Sequence, residues 1–163
     1  MADIIIRAGG HADARQACEL LNEIIHIGGT TAFVDPLQID GFLDWIQSAG
    51  GTWHVAETDE GQLLGFQWIG ALGELPKTRC AIATFVKAGL TGQGVGSRLF
   101  ERTKPAARAL GFDWIEAEIR ADNTGGIIYY QNIGFREYHS HTGALSNGTP
   151  IEKVTRIYDL SEN

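Results

Sequence analysis

Three alternating glycines, Gly92, Gly94 and Gly96, lie between an apolar segment that predicts a strand and a segment with apolar residues at helical spacing. Because glycine has no Cβ atom, the backbone N–H groups of such a loop can approach a ligand closely. The N-terminus of the following helix adds unpaired N–H donors and a partial positive charge. The pattern therefore predicts a strand, a loop and a helix that together bind a pyrophosphate.

Two common nucleotide-binding motifs do not fit this glycine run. The fingerprint G-x-G-x-x-G would need a third glycine at position 97 or 99, which are Ser97 and Leu99. Only Glu116, roughly 20 residues further on, matches the acidic residue that binds a ribose in that fold. A P-loop ends in G-K-[ST], and no such triplet follows. A nucleotide-dependent oxidoreductase is therefore the least favoured function, and a tight turn without a ligand stays an alternative.

A second segment, residues 119–135, is read together with the glycine run. It contains Asn123, Gly126, Tyr130, Gly134 and Phe135. The pair of segments resembles the GCN5-related N-acetyltransferases (GNAT family), whose phosphate loop reads [QR]-x-x-G-x-[GA] and whose later segment reads N, a small residue three positions on, then Y-x-x-x-G-F. The two motifs stand in the family's order and at a fitting interval over residues 84–135. At the first loop position this chain has Thr91 instead of Arg or Gln, and we expect little loss from that.

The resemblance implies an α/β (α+β) fold with a mixed, mostly antiparallel central sheet and helices on both faces, in one acetyltransferase domain over residues 1–163. It implies an N-acetyltransferase that uses acetyl-CoA as cosubstrate and no metal. The expected acceptor is the primary amine of a small, amino-acid-like substrate, attacked directly through a tetrahedral intermediate. Two alternatives stay open: a non-catalytic acyl-CoA-binding sensor module, and a protein or peptide N-acetyltransferase.

The resemblance also assigns residues to the coenzyme. The pyrophosphate would be held by backbone N–H groups of Gly92, Gln93, Gly94, Val95, Gly96 and Ser97. Backbone groups at Phe85 and Val86 would pair with the pantetheine arm and polarise the thioester carbonyl, although both side chains could also be plain core. Asn123 would contact the pantetheine arm, cap the following helix, or do both, since Asn is a favourable N-cap.

Tyr130 is the best candidate for the general acid, because a phenol with a pKa near 10 can protonate a departing thiolate. The alternative is a buried aromatic residue on an amphipathic helix. Tyr129 faces about 100° away on a helix, so we expect it to pack elsewhere. The general base stays open, because the strand at 79–86 contains no Asp or Glu. The candidates are His26, His54, Glu118 and a chain of waters.

The acceptor pocket is predicted from Asn22–Phe33, which resembles the acceptor-side helix and loop of the phosphinothricin-type branch of the family. Members of that branch acetylate small amino-acid-like amines. The predicted lining residues are His26, Thr31, Phe33, Trp45 and Trp68. As an alternative, the aromatic residues belong to the hydrophobic core.

Composition limits the other function classes. A length of 163 residues suits one domain with a sizeable core. A net charge of −7 argues against nucleic-acid binding and is compatible with a cationic or amine substrate. The two cysteines, Cys18 and Cys80, are too few for a disulfide framework and are expected to be buried thiols. No apolar run predicts a membrane span or a secretion signal, so a cytoplasmic location is expected. The resemblance leaves room for a homodimer, because the family is often dimeric.

Periodicity predicts seven strands and four helices, mixed along the chain. The predicted strands are Ile4–Arg7, Trp53–Thr58, Gln62–Leu72, Ala81–Lys87, Trp114–Arg120, Arg136–Thr142 and Lys153–Leu160. The predicted helices are His11–Ile27, a second between Asp35-Pro36 and Gly50-Gly51, a third from Gly94 to Leu110, and Thr124–Asn132. Pro105 should kink or locally break the third helix, because proline removes a backbone donor.

Overall fold

The structure is a computed structural model that describes residues 3–72, 78–90 and 92–161. Thr91, which the sequence analysis singled out, lies outside these ranges. The strands are β1 (Ile4–Ala8), β2 (Thr52–Thr58), β3 (Leu63–Ala71), β4 (Arg79–Val86), β5 (Trp114–Arg120), β6 (Arg136–Ala144) and β7 (Pro150–Asp159). The helices are α1 (Ala14–Ile27), α2 (Ile39–Ile46), α3 (Val95–Ala109) and α4 (Thr124–Asn132), with short 3₁₀ helices at His11–Asp13 and Ser48–Gly50.

All seven of these strands form one sheet in the order β1-β2-β3-β4-β5-β7-β6. The pair β4–β5 is parallel, and every other neighbouring pair in the described sheet is antiparallel. The mixed, mostly antiparallel sheet expected from the sequence is therefore confirmed.

Helices cover both faces of the sheet because side chains alternate along its central strands. On β4, Phe85 packs into a cluster with α1 and α2. The side chains of Cys80 and Ile82 point to the other side of the strand and pack there with residues of α3, α4 and β5. A smaller cluster lies between α3 and the strands β2 and β3. Below, the side of the sheet that α1 and α2 cover is called the α1–α2 face, and the opposite side is called the α3–α4 face.

Helix α3 continues through Pro105, so the helix is not broken at that residue, and a kink there stays a prediction. Proline removes one N–H donor and crowds the preceding turn. Buried side chains hold the helix on both sides of it, Leu99 and Phe100 before the proline and Ala107 after it. Packing of this apolar stripe against the sheet offsets the lost hydrogen bond, as is usual for helices in globular proteins.

Strands β4 and β5 pair over a short stretch only, from Arg79 opposite Trp114 to Ala81 opposite Glu116. Beyond that point β4 continues to Val86 and β5 to Arg120 without pairing to each other. The sheet therefore opens into a gap between the carboxyl ends of its two parallel strands. The glycine loop and the N-terminus of α4 follow these two strands, so both lie near this opening.

Candidate functional site

The glycine loop combines left-handed backbone with open space. Gly92 and Gly94 both have φ of +84°, a conformation that glycine adopts without strain, and nothing lies within 4 Å of a Cβ built at either position. Gly94 is the N-cap of α3, and its carbonyl accepts the first helical hydrogen bond from the Arg98 N–H group (3.0 Å). The N–H groups of residues 94–97 precede that bond and have no acceptor within the helix. Such N–H groups at a helix N-terminus suit an anion, and the space beside Gly92 and Gly94 is open.

Gln93, predicted as a pyrophosphate contact, has its N–H group hydrogen-bonded within the turn to the Leu90 carbonyl (3.3 Å). Its backbone donor is therefore already used, unlike those of the residues that follow it.

Gly96 has a different role from the other two glycines. A Cβ at Gly96 would lie 2.6 Å from Cε1 of Tyr129, so a larger residue would displace that ring. The Tyr129 hydroxyl also donates to the Gly96 carbonyl over 2.7 Å. Tyr129 therefore fastens α4 to the first turn of α3, and the expectation that it packs elsewhere is wrong.

The alternation of β4 decides which backbone groups face the gap. Arg79 accepts from Leu72 and Lys87 donates to Leu64, and both bonds join β4 to β3. The β3–β4 register is unbroken between them, so odd-numbered residues of β4 direct their N–H and C=O groups toward β3. The even-numbered residues Ile82, Thr84 and Val86 direct theirs toward the gap.

The two strand residues predicted to hold the pantetheine arm therefore differ. The backbone groups of Val86 point into the gap, whereas those of Phe85 point toward β3. The Phe85 ring packs in the core with its centroid 5.1 Å from that of Phe66. Phe85 is therefore a core residue, which was the alternative interpretation of the sequence.

Tyr130 lies on the α3–α4 face, beside the gap. Its hydroxyl is 2.8 Å from Thr84 Oγ1, and its side chain is almost fully buried against Phe135. Burial raises the pKa of Tyr130 above its usual value, with the hydrogen bond to Thr84 acting in the opposite direction. Tyr130 is thus a protonated phenol at neutral pH and has a proton to give.

Asn123 caps α4, as one of its two sequence interpretations proposed. Its Oδ1 accepts from the Gly126 N–H group over 3.0 Å, and its Nδ2 donates to the Thr30 carbonyl over 3.2 Å. A Cβ at Gly126 would come within 2.5 Å of Asn123 Nδ2, which explains the small residue three positions after the Asn. Contact between Asn123 and a pantetheine arm stays a prediction.

The segment 28–37, whose residues 28–33 belong to the acceptor-side stretch predicted from the sequence, is hydrogen-bonded at several points. Besides the bond from Asn123, Arg120 donates to the Thr31 carbonyl (3.2 Å). Ser146, in the β6–β7 turn, donates its N–H group to Ala32 (2.7 Å) and accepts from Val34 through its hydroxyl (2.9 Å). The segment therefore joins the ends of β5, α4 and the β6–β7 turn above the gap.

The five predicted acceptor residues do not form one cluster. Thr31 lies beside the end of β5 through its bond from Arg120. Phe33 packs edge-on against Trp45 (5.6 Å), and Trp45 lies against Trp68 (5.3 Å). Trp68 is buried and donates to the Ile46 carbonyl, so it is core. His26 is exposed in the last turn of α1.

Of the candidate bases, Glu118 lies nearest the gap. Ile115, Ala117 and Ile119 are buried on the α3–α4 face, so Glu118 points to the α1–α2 face. Extending both strands from the Ala81–Glu116 pair places Glu118 level with Ala83, next to Thr84. Its carboxylate, however, pairs with Lys153 of β7 and His141 of β6, so it is directed toward these strands and not into the gap.

Glu118 also has basic neighbours that the sequence analysis missed. Lys153 Nζ lies 3.0 Å and His141 Nε2 lies 3.4 Å from Glu118 Oε1. Both lie on strands that are far from β5 in sequence, so no local pattern connects them to Glu118. His54, by contrast, is a buried residue of β2, separated from the gap by β3 and β4.

Gln67 is a further residue that the sequence analysis missed. It is fully buried in β3, and its Nε2 donates both to Thr84 Oγ1 (2.9 Å) and to the Tyr129 hydroxyl (3.0 Å). A single amide in an otherwise apolar strand was the available signal. Within the described ranges, no group of three or more His, Cys, Asp or Glu could hold a metal ion. No helix there is long and apolar enough to cross a membrane.

Solved structures share this fold along nearly the whole chain. An N-acetyltransferase from Staphylococcus aureus Mu50 is 23% identical with a TM-score of 0.85, covering 98% of this chain and 99% of its own. A ribosomal-protein-alanine N-acetyltransferase from Brucella melitensis is 19% identical with a TM-score of 0.84, covering 95% and 99%. A phosphinothricin acetyltransferase from Sinorhizobium meliloti, in complex with acetyl-CoA, is 18% identical with a TM-score of 0.83, covering 96% and 88%.

At these identities the structures establish the fold. No curated protein matches the sequence. A family model does: the model of the acetyltransferase (GNAT) family matches residues 18–135, which include the glycine loop, the gap strands and the Asn123–Phe135 segment. The chain therefore belongs to the acetyltransferase (GNAT) family.

Proposed function

We propose that this acetyltransferase moves the acetyl group of acetyl-CoA to the primary amine of a small, amino-acid-like substrate, and that residues 1–163 form its single domain. The observation that carries the proposal is the gap between β4 and β5. A helix N-terminus with unpaired N–H groups lies at its open end, and the Tyr130 phenol lies beside it.

The coenzyme part of the proposal depends on the loop and the strand edge. The free N–H groups of Gly94, Val95, Gly96 and Ser97 would bind the pyrophosphate, with Gly92 providing the turn. The Thr84 and Val86 backbone groups that face the gap would pair with the amides of the pantetheine arm, as another strand would. The Sinorhizobium structure, which has the same fold, contains acetyl-CoA.

The chemistry then needs few groups. The amine nitrogen attacks the thioester carbonyl, and the resulting oxyanion accepts hydrogen bonds from the backbone N–H groups of β4. The nitrogen–carbon bond forms and the carbon–sulfur bond breaks. Tyr130 gives its proton to the departing thiolate, and the amine nitrogen releases its proton to water. No step requires a metal ion.

The acceptor would enter from the α1–α2 face, where Glu118 lies. Segment 28–37 crosses that side and is held by Arg120, Asn123 and Ser146. Such a tied segment favours a small acceptor over a long peptide, which would need an open groove. The net charge of −7 also favours a cationic amine over an acidic substrate.

The test is to incubate the purified protein with acetyl-CoA and a panel of amino acids, amino-acid analogues, polyamines and peptides, and to measure thiol release. Release with one class of small amine supports the proposal. Release with peptides alone would replace the acceptor class. Coenzyme binding by calorimetry without release from any acceptor would favour the sensor alternative, and no binding would overturn the coenzyme assignment.

A further inference from the structure

Four side chains form a hydrogen-bonded network on the α3–α4 face beside the gap. They are Gln67, Thr84, Tyr129 and Tyr130. The proposed chemistry uses the hydroxyl of Tyr130 alone. The other three members are polar groups in a buried setting, where an amide or hydroxyl is costly unless its hydrogen bonds are made. The presence of these three polar groups beside Tyr130 therefore needs an explanation.

The direction of two of these hydrogen bonds follows from Gln67. Its Nε2 carries two hydrogens and can only donate, so Thr84 Oγ1 and the Tyr129 oxygen must both accept. The hydrogen of Tyr129 is in turn given to the Gly96 carbonyl (2.7 Å). Among the described residues, Gln67 Oε1 has no partner, so the amide is held by its donors.

The bond between Thr84 and Tyr130 is the one whose direction is open. Two hydroxyl groups 2.8 Å apart share one hydrogen between them, and a second hydrogen is left over. If Tyr130 donates to Thr84, its hydrogen is used within the network. If Thr84 donates to Tyr130, the hydrogen of Tyr130 is free to point into the gap.

Gln67 favours the second arrangement. A hydroxyl that already accepts a hydrogen bond is polarised and becomes a stronger donor, because bonds in a chain reinforce one another. Thr84 accepts from Gln67 and would therefore donate to the phenol oxygen. That bond also stabilises the phenolate left after proton transfer, against the burial that disfavours its charge.

Building on the proposed function, we propose that Gln67 and Thr84 are positioning residues of Tyr130, which keep its oxygen an acceptor and its hydrogen free for the departing thiolate. When the carbon–sulfur bond breaks, sulfur takes the Tyr130 proton, and the phenolate that remains is held by the Thr84 hydroxyl. Solvent returns a proton to Tyr130 after the product leaves.

The first test is the variant Thr84→Val, which keeps the shape of the side chain and removes its hydroxyl. We expect kcat to fall on the order of tenfold and the KM for acetyl-CoA to stay within about twofold, because the variant acts on the acid and spares the binding loop. Thr84→Ser restores the hydroxyl and should recover kcat to within about threefold of the original protein. Thermal melts of each variant confirm that it is folded.

The decisive comparison is the same change in a Tyr130→Phe background. If Thr84 acts through the phenol, Thr84→Val should alter the kcat of Tyr130→Phe by less than about twofold. A full tenfold loss in both backgrounds would show an independent structural effect and overturn the inference. A Thr84→Val enzyme with undiminished kcat would overturn it as well.

A second variant, Gln67→Met, removes both hydrogen-bond donors of the amide with little change in side-chain volume. Thr84 then accepts no hydrogen bond from residue 67, so its hydroxyl is no longer polarised to donate to Tyr130. We expect a loss of kcat similar to that of Thr84→Val, and undiminished kcat in the folded variant would contradict the inference.

These outcomes separate the inference from the proposed function. Undiminished turnover in Tyr130→Phe would remove Tyr130 as the acid, and no thiol release from any amine would remove the transferase reaction. A slow Tyr130→Phe enzyme with an additive Thr84→Val effect would leave the proposed function intact and refute the positioning role alone.

Discussion

At the scale of single residues, the three positions of the loop require glycine for two distinct reasons. Gly92 and Gly94 are required by their positive φ and leave open space in front of the loop. Gly96 is required by the ring of Tyr129, which occupies the place of a Cβ. A sequence pattern records all three as small residues, and only the packing of α4 against α3 distinguishes them.

Gly96→Ala should therefore be more harmful than a glycine change in an open turn. The added methyl group would meet the Tyr129 ring at 2.6 Å, and such overpacking typically costs about 1–3 kcal/mol. Displacement of Tyr129 would also disturb Gln67, so kcat should fall. Urea unfolding and initial rates measure the two effects.

The matched control is Gly61→Ala, in the turn between β2 and β3. Gly61 has φ of +85° with nothing near its Cβ position, so only the backbone penalty of about 1 kcal/mol applies there and kcat should not change. Equal stability and full activity in Gly96→Ala would contradict the assigned role of Tyr129.

At the scale of elements, periodicity predicted all the strands and helices that flank the site. The errors concern what neighbouring elements do to one another. Pro105 does not break α3, because buried residues on both sides hold it. The hairpin of β6 and β7 is longer than predicted, since Gly143, Ala144 and Pro150 join the ladder. Local propensity does not contain these tertiary contributions.

The tethered segment 28–37 gives a prediction at this scale. Ser146→Ala removes the hydroxyl that accepts from Val34 and leaves the coenzyme loop untouched. A hydrogen bond of this kind contributes about 0.5–1.5 kcal/mol, so the KM for the amine should rise about twofold to tenfold. The coenzyme Kd should stay unchanged. Steady-state kinetics and calorimetry measure these quantities.

The control for that variant is Ser161→Ala, which removes an exposed hydroxyl bonded to Asp159 after the last strand. Its amine KM should equal that of the original protein. If Ser146→Ala also leaves the amine KM unchanged, segment 28–37 does not line the acceptor site.

At the scale of the whole molecule, ion pairs hold the segment before α1 against the first two strands of the sheet. Arg7 of β1 forms ion pairs with Asp13 (2.7 Å) and with Glu57 of β2 (2.8 Å). Hydrogen bonds from Arg7 lower the pKa of both carboxyl groups below their usual values. Their stabilising effect is therefore present above the unfolded pKa values near 4 and is lost as the pH falls toward the lower folded values.

Asp13→Asn should reduce the free energy of unfolding at pH 7 by about 1–3 kcal/mol, since it removes hydrogen bonds between charged groups. Below about pH 4 the difference between the variant and the original protein should shrink, because the original protein loses the same interaction there. Urea unfolding at pH 7 and pH 3 tests this, with Glu19→Gln on the exposed side of α1 as control. A difference that stays constant with pH would contradict the assignment.

The whole fold could be predicted from two motifs and the order of elements, but the site only in part. The glycine loop, Val86, Asn123 and Tyr130 lie around one gap, within the segments that the motifs cover. Gln67 and Lys153 come from strands far away in sequence, and they reach the site through strand pairing that no local pattern records. His26 and Phe85 matched a motif or its flank, yet one is exposed and the other is core.

The most direct test of the central claim is a crystal structure of the protein with CoA bound. The account predicts the pyrophosphate at the N–H groups of residues 94–97 and the pantetheine arm in the gap between β4 and β5. It predicts the sulfur within hydrogen-bond reach of the Tyr130 hydroxyl, at about 3–4 Å. A coenzyme bound outside the gap, or a sulfur out of reach of Tyr130, would contradict it.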